Sequence, residues 1–382
     1  GIDKAFLLTT GAETTECAIK LMRTHGKRVG GPKKIGIVSF ERGFHGRTLG
    51  SQQIGGSPAL KEWIVNLDPH IWQVPFPDGF WTEDTSFDLF LKTLERLRVT
   101  PDMVAGVIFE TYQGGGSCFM PKEYVQKLHA WCRKHNVIMT CDEVQAGFGR
   151  TGKMWGSEHY GIVPDLACFG KGISSSLPIS ALAGRKDLMD QYAPGSMTST
   201  HTGSPVCVAA ALASLDVIVH KKLWQNAEKI GAVIYQGLLD LQKKYPERIG
   251  IVQGKGLVYA VQMVKAGGKK EADYDLAFAV IKKCVEKGVL FFAPVGFCSV
   301  KIAPPLIITK AQALEGLKVL GEALAEALRA YVRGGGTLII HVYLDDGNGG
   351  FSQADVPVNS DGRSYFVKAG TGVRCPASAA SA

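Results

Sequence analysis

The sequence has none of the features that mark membrane, fibrous or disordered proteins. No segment approaches the roughly 18 uninterrupted apolar residues of a membrane helix, so we expect no membrane partner. Internal repeats, heptad runs and long polar tracts are also missing, which excludes solenoids, coiled coils and extended disorder. The first residues contain a short apolar run without a basic flank or a cleavage signal, and this predicts that there is no secretory peptide.

Paired cysteines and a strong net charge are missing too. The 9 cysteines are scattered among 382 residues without a Cys-x-x-Cys pair, so we expect neither a metal site nor a redox pair. Scattered thiols in a chain of this size suggest a reducing cytosol, and we therefore expect a cytoplasmic protein. The net charge of +8 is modest and spread along the chain, which disfavours a nucleic-acid partner but suits acidic small molecules.

What the sequence does have is an alternation of apolar runs and helical patterns over its first 185 residues. Runs typical of buried strands occur at Ala5–Thr9, Ile35–Phe40, Ile71–Val74, Val104–Phe109, Val137–Cys141, Leu166–Phe169 and Ser180–Ala183. Thr14–Arg23 and Lys122–His135 have helical spacing. The alternation predicts an α/β fold with a mostly parallel sheet covered by helices.

The rest of the chain predicts a second unit and a tail. We assign a large domain to residues 1–225, a smaller C-terminal α+β domain to 226–330 and a Gly-rich tail to 331–382. The predicted elements beyond residue 204 are helices from Pro205 to Lys244, strands at Val252–Val264 and Val289–Phe292, a closing helix at Lys310–Leu328, and tail strands at Thr337–Leu344 and Ser364–Val367. We expect a turn between the tail strands and no chemistry in the tail.

Two features suit a phosphorylated aromatic ligand. The segment Thr9–Glu13 follows a strand and opens a helix, so its backbone amides and the positive helix end face an anion such as phosphate. Taken alone, the segment is better explained as an ordinary strand-to-helix turn with a threonine cap. Asp142 follows a buried strand, where its carboxylate is placed to bind a protonated heterocyclic nitrogen, or alternatively to cap the next helix.

Two more features supply an amine and an aromatic face. Most lysines are solvated, but Lys171 ends an apolar strand and enters a small-residue loop, a setting that can lower its pKa for Schiff-base formation. Phe44 and Arg47 follow another strand and offer a ring face and a carboxylate-binding guanidinium, although an aromatic residue there is more often core. Together the four features indicate a pyridoxal phosphate site.

At this point the sequence resembles a known family. The segments TTGAE, FHGRT, CDEVQAGFGRTG, PDLACFGKGIS and KIAPPL occur in the order found in class III (subgroup II) pyridoxal-phosphate aminotransferases. That family includes 4-aminobutyrate, ornithine and acetylornithine aminotransferases, together with some racemases. The resemblance covers residues 1–330 and implies fold type I, with the cofactor between a large and a small domain. DEVQAGFGRTG followed by a lysine 29 positions after Asp142 is its most specific part.

The resemblance implies a role for each matching residue. Phe44 would stack on the cofactor ring, Asp142 would pair with its nitrogen, Val144 would pack on the other face and Gln145 would bind its 3′-oxygen. Lys171 would hold the cofactor covalently and move the proton.

The resemblance also implies which residues bind the phosphate of the cofactor and how two subunits assemble. Gly11 and Ala12 would bind the phosphate through their amides, and Thr200 would reach it from the partner subunit, which implies a homodimer with shared active sites. Family members have a sizeable segment before the phosphate-binding strand, and we expect that segment to be absent from this sequence.

The substrate pocket departs from the family pattern. Lys301 stands where many relatives have an arginine for the α-carboxylate, and Gly115, in the segment that begins at Glu110, replaces a gate glutamate. With Arg47, Lys301 and Glu110 as substrate-binding candidates, we expect a transaminase that acts on a terminal (ω) amine and a keto acid. A racemase or epimerase of the same family, and a cofactor-binding protein without catalysis, are the alternatives.

Overall fold

The apolar runs of the first half of the chain form one seven-stranded sheet. The computed structural model describes residues 1–267, 270–292, 298–333, 338–345 and 351–358. The strands are β1 (Lys4–Leu8), β2 (Gly36–Phe40), β3 (Ile71–Val74), β4 (Val104–Glu110), β5 (Ile138–Asp142), β6 (Leu166–Phe169) and β7 (Ser180–Gly184). Their order is β1-β7-β6-β5-β4-β2-β3, and only the pairs that involve β7 are antiparallel. The predicted strands are confirmed to within one or two residues at their ends.

Helices cover both faces of this sheet. They are α1 (Gly11–Gly30), α2 (Leu49–Ile54), α3 (Phe87–Arg96), α4 (Lys122–Lys134) and α5 (Lys186–Met189). In β4, Val107 and Phe109 join the core cluster under α3 and α4, whereas Ile108 joins the cluster under α1. Successive side chains thus enter two different cores, which explains why the strands are apolar throughout.

The second unit is a small antiparallel sheet with helices. Before this unit, α6 (Pro205–His220) adds Ala211 and Ile218 to a core cluster with Phe148, Ile173 and Ala181 of the large domain. The unit itself comprises α7 (Leu223–Lys244), β8 (Ile249–Lys255), β9 (Val258–Met263), α8 (Tyr274–Glu286), β10 (Ser299–Ile302) and α9 (Lys310–Arg333). The strand order is β10-β9-β8.

Two strand predictions in this unit are wrong. The single strand predicted at Val252–Val264 is a hairpin that turns near Gly256. Gly256 has a φ of 58°, a left-handed conformation that is strained for a residue with a side chain. The run Val289–Phe292 is not a strand, and its Leu290 and Phe292 are exposed. The edge strand is β10 instead.

The tail contains a two-stranded hairpin. Its strands β11 (Leu338–Asp345) and β12 (Phe351–Val358) are antiparallel. The first of these was predicted, the second was not, and the run predicted at Ser364–Val367 lies outside the described residues. No helix within the described ranges has both the length and the apolar character needed to cross a membrane.

Candidate active site

The chemistry-bearing residues follow the carboxyl ends of neighbouring strands. Asp142 is the last residue of β5, and it pairs in register with Glu110, the last residue of β4. Lys171 lies two residues beyond the end of β6, the parallel neighbour of β5. Open α/β sheets bind their ligands at this edge, so the topology brings a carboxylate and an amine together there.

The Asp142 carboxylate is buried and held from two sides. Its Oδ1 accepts a hydrogen bond from the Val144 amide at 3.0 Å, and its Oδ2 lies 2.8 Å from Nδ1 of the buried His45. An ionised carboxylate only accepts hydrogen bonds, so Nδ1 carries the proton. Burial lowers the pKa of His45, but the hydrogen bond and charge of Asp142, with help from Glu110, outweigh it and the pKa lies above its usual value. The contact with Asp142 therefore stabilises the protonated form of His45.

Lys171 combines backbone strain with a partly desolvated amine. It opens a one-turn 3₁₀ helix, Lys171–Ile173, with a φ of 40°, in the left-handed region that a residue with a Cβ rarely adopts. Desolvation lowers the pKa of its amine, and the charges of Asp142 and Glu110 oppose that shift. The side chain still reaches solvent, so a ligand can approach it.

Glu110 joins two loops. Its Oε2 accepts from the Phe44 amide at 2.9 Å and its Oε1 from the Gly114 amide at 3.0 Å. Phe44 is 36% exposed, and the Arg47 guanidinium carbon lies 5.7 Å from the centroid of the Phe44 ring, within cation–π range. An aromatic face and an accessible guanidinium are thus presented side by side.

The start of α1 lies against the same edge. Thr10 and Glu13 form a capping box, while the first-turn amides of Gly11 and Ala12 have no intrahelical acceptor. A Cβ on Gly11 would lie 2.9 Å from Val144 Cγ1. Because Gly11 has no Cβ, the space between the start of α1 and Val144 stays free, and we call this space the amide cradle.

Lys301 reaches the site from the small sheet. Its Nζ donates to the Gly114 carbonyl at 2.6 Å and to Oε1 of Gln145 at 2.9 Å. Burial above all, together with the charges of Lys171 and Arg150 and against the opposing charge of Glu110, lowers its pKa to about 8. The substrate candidate Lys301 and the cofactor candidate Gln145 are therefore direct neighbours.

Thr200 is exposed, in the segment that joins α5 to α6. Sequence reasoning missed His45, although it lies inside the FHGRT segment, because no spacing rule showed which residue would orient Asp142. Among the described residues, no group of His, Cys, Asp and Glu side chains could hold a metal ion.

The donor set fits pyridoxal phosphate. An accessible amine with a lowered pKa, a fixed carboxylate, an exposed ring and an amide cradle meet the needs of its aldehyde, ring nitrogen, ring face and phosphate respectively. The fold and the site thus define an enzyme that uses this cofactor on amines.

Comparison with known proteins identifies the family. Residues 1–324 match the family Aminotransferase class-III, and the chain belongs to that family. It is a pyridoxal-phosphate-dependent aminotransferase of fold type I, as the motifs predicted.

Individual relatives show the range of the family. The chain is 35% identical over 338 residues to 4-aminobutyrate aminotransferase of Mycobacterium leprae, which covers 85% of this chain and 74% of the relative. It is 34% identical over 325 residues to isoleucine 2-epimerase of Lentilactobacillus buchneri, covering 82% and 70%. A solved amine transaminase of an uncultivated Pseudomonas species, in its pyridoxal-phosphate-bound form, has a TM-score of 0.79 at 26% identity, covering 85% of this chain and 77% of that one.

Proposed function

We propose that this aminotransferase takes the terminal amino group of an amine or ω-amino acid and passes it to a keto acid. The observation that carries the proposal is the state of Lys301. Its ammonium group is held between two neutral acceptors, Gly114 O and Gln145 Oε1, where the family pattern has an arginine. A single ammonium so engaged grips an α-carboxylate less well than a planar guanidinium, which favours donors without one.

The residues would divide the work as follows. When bound, pyridoxal phosphate supplies a carbon that takes up amines and a ring that draws electrons from the reacting carbon. The Gly11 and Ala12 amides would bind its phosphate, and Asp142 would keep a proton on its ring nitrogen. Lys171, whose amine has a pKa lowered by desolvation, would bind the resting cofactor and then take the proton from the donor carbon.

Arg47 would select ω-amino acids among the donors. Its guanidinium is exposed beside the Phe44 ring, so it can bind a carboxylate distant from the reacting amine. The Mycobacterium leprae relative is a 4-aminobutyrate aminotransferase, and a solved neighbour is an amine transaminase, which supports donors of this class.

A donor panel tests this assignment. We expect kcat/KM with 4-aminobutyrate, 5-aminovalerate or an aromatic amine to exceed that with glutamate, and Lys301→Arg to improve glutamate selectively. If glutamate is the best donor and Lys301→Arg changes nothing, the assignment is wrong.

Epimerisation is a second candidate because of the isoleucine 2-epimerase relative. The Lys171 amine could return the proton to the opposite face of the same carbon. Product analysis separates the two reactions: a carbonyl product formed with consumption of keto acid supports transfer, whereas inversion of the substrate without keto acid supports epimerisation.

We also propose a homodimer in which Thr200 binds the partner's phosphate. The helix α6 supports this, since its apolar side chains Val206, Leu212, Val217 and Val219 are exposed. Mixing inactive Lys171→Ala subunits with weakened Thr200→Val subunits should restore activity. In the mixed dimer, one of the two sites combines the intact Lys171 of one subunit with the intact Thr200 of the other. Light scattering that shows only monomers would exclude this arrangement.

A cytoplasmic location and the absence of nucleic-acid and membrane partners complete the proposal. The cysteines in the described part of the chain are free thiols and most are buried, as suits a reducing compartment. Cell fractionation tests the location, and recovery in a membrane or nucleoprotein fraction would oppose it.

A further inference from the structure

A tight turn of three consecutive glycines borders the active site. We call residues Gln113–Cys118 the gate turn: Gln113 and Cys118 pair as an antiparallel bridge, with the Gln113 amide donating to the Cys118 carbonyl at 2.9 Å. Between them lie Gly114, Gly115, Gly116 and Ser117. Glycines lose the most conformational freedom when fixed, so this turn depends on contacts from outside to hold one shape.

The large domain holds both ends of the gate turn: Cys118 lies in its hydrophobic core, and hydrogen bonds hold Gln113 and Gly114. Glu110 accepts the Gly114 amide, and the Gln113 side chain donates to the Glu41 carbonyl at 2.7 Å. Gly114 packs so closely on Gln145 that a Cβ would lie 2.2 Å from its Nε2. The gate turn therefore forms a backbone wall next to Gln145 and Lys301.

Each strand of the small sheet sends one side chain to the gate turn. From β8, Gln253 Nε2 donates to Gly116 O at 3.4 Å and to Cys118 Sγ at 2.8 Å. From β9, the buried Gln262 donates to Gly116 O at 3.1 Å. From β10, Lys301 binds Gly114 O.

The orientation of Gln262 is itself fixed. Its Oε1 accepts a hydrogen bond from Ser299 Oγ at 2.7 Å, which leaves its Nε2 directed at Gly116. In the gate turn, the two glutamines donate to Gly116 O and Cys118 Sγ, which are both neutral acceptors. Neutral amide donors therefore satisfy these acceptors without leaving a buried charge unpaired.

We propose that Gln253 and Gln262 are positioning residues that fix the gate turn and thereby set the length of donor that the pocket accepts. The inference rests on the proposed aminotransferase function. Because Gly115 has no side chain, the pocket wall here is backbone, and its position depends on what holds Gly116. Loss of either glutamine amide lets the wall shift while the cofactor-binding residues stay in place.

The test compares Gln253→Leu and Gln262→Leu with a matched control. Gln242 Nε2 on α7 also donates to two backbone carbonyls, of Ile249 and Gly250, at 3.4 and 3.2 Å, outside the gate turn. For each variant we would measure hydrogen exchange of the gate-turn amides, binding of the unreactive acids butyrate and hexanoate, and kcat and KM with 4-aminobutyrate and 6-aminohexanoate.

In both glutamine variants we expect faster hydrogen exchange of the gate-turn amides. We also expect the ratio of kcat/KM between the two donors to change by about three- to tenfold, through KM rather than kcat. The ratio of acid affinities should change in the same direction, and Gln242→Leu should alter neither. If the variants show only a lower Tm and an unchanged ratio of kcat/KM between the two donors, the proposal is overturned. If Gln262→Leu does not fold, the Gln253→Leu variant decides the test, because Gln253 is only partly buried. A wild-type protein that transfers no amino group would refute the function instead, whatever the exchange shows.

Discussion

His45 Nδ1 lies 2.8 Å from Oδ2 of Asp142, and both side chains are buried at the carboxyl edge of the sheet. The imidazole fixes the carboxylate that we assign to the cofactor nitrogen, and the hydrogen bond to that carboxylate raises the pKa of the imidazole against the effect of burial. His45, which lies in the FHGRT segment beside Phe44 and Arg47, thus contacts Asp142 and would act through it rather than on the substrate.

We expect His45→Phe to bind cofactor but to lower kcat by about 10- to 100-fold, because a hydrogen bond to a charged group is lost. His70→Phe is the matched control, since His70 pairs with Asp68 at the surface. Steady-state kinetics and the visible spectrum measure the effect. Equal losses in the two variants would show that His45 has only a structural role.

Asp142→Asn should retain the cofactor but slow proton abstraction by about 100-fold or more, because an amide does not stabilise the protonated ring as a carboxylate does. The rate should be compared with α-deuterated donor, so that the proton-transfer step is the one observed. A variant that kept the wild-type rate in this step would make Asp142 a structural cap.

The pKa of Lys301, lowered by burial to about 8, predicts a pH-dependent donor preference. Below pH 8 its ammonium is charged and can attract an α-carboxylate, and above pH 8 that attraction is lost. We expect kcat/KM for glutamate to fall between pH 7 and 9, relative to an aromatic amine that has no carboxylate. Lys301→Arg should abolish this relative fall, and identical profiles for the two proteins would contradict the role of Lys301.

Several parts of this site could be predicted from sequence because they are local. Asp142 ends an apolar strand and Lys171 follows the next one, and parallel strands bring such positions to one edge. The capping box at Thr10 and Glu13 likewise depends on residues three apart.

Other parts depend on contacts between distant residues. Lys301 and Gln145 are 156 positions apart in the sequence, and no local pattern indicates that they touch. The run Val289–Phe292 has strand composition, but the small sheet uses β10 as its edge, since pairing with β9 rather than local propensity decides which segment joins.

The covalent attachment of the cofactor to Lys171 is the central claim, and borohydride reduction of the holoenzyme followed by peptide mass spectrometry tests it most directly. The account predicts a phosphopyridoxyl group on Lys171 in the wild type, and neither that modification nor amino-group transfer in Lys171→Ala. Exposed Lys186→Ala, the control, should be labelled and active like the wild type. A label on another lysine, or undiminished turnover in Lys171→Ala, would contradict the account.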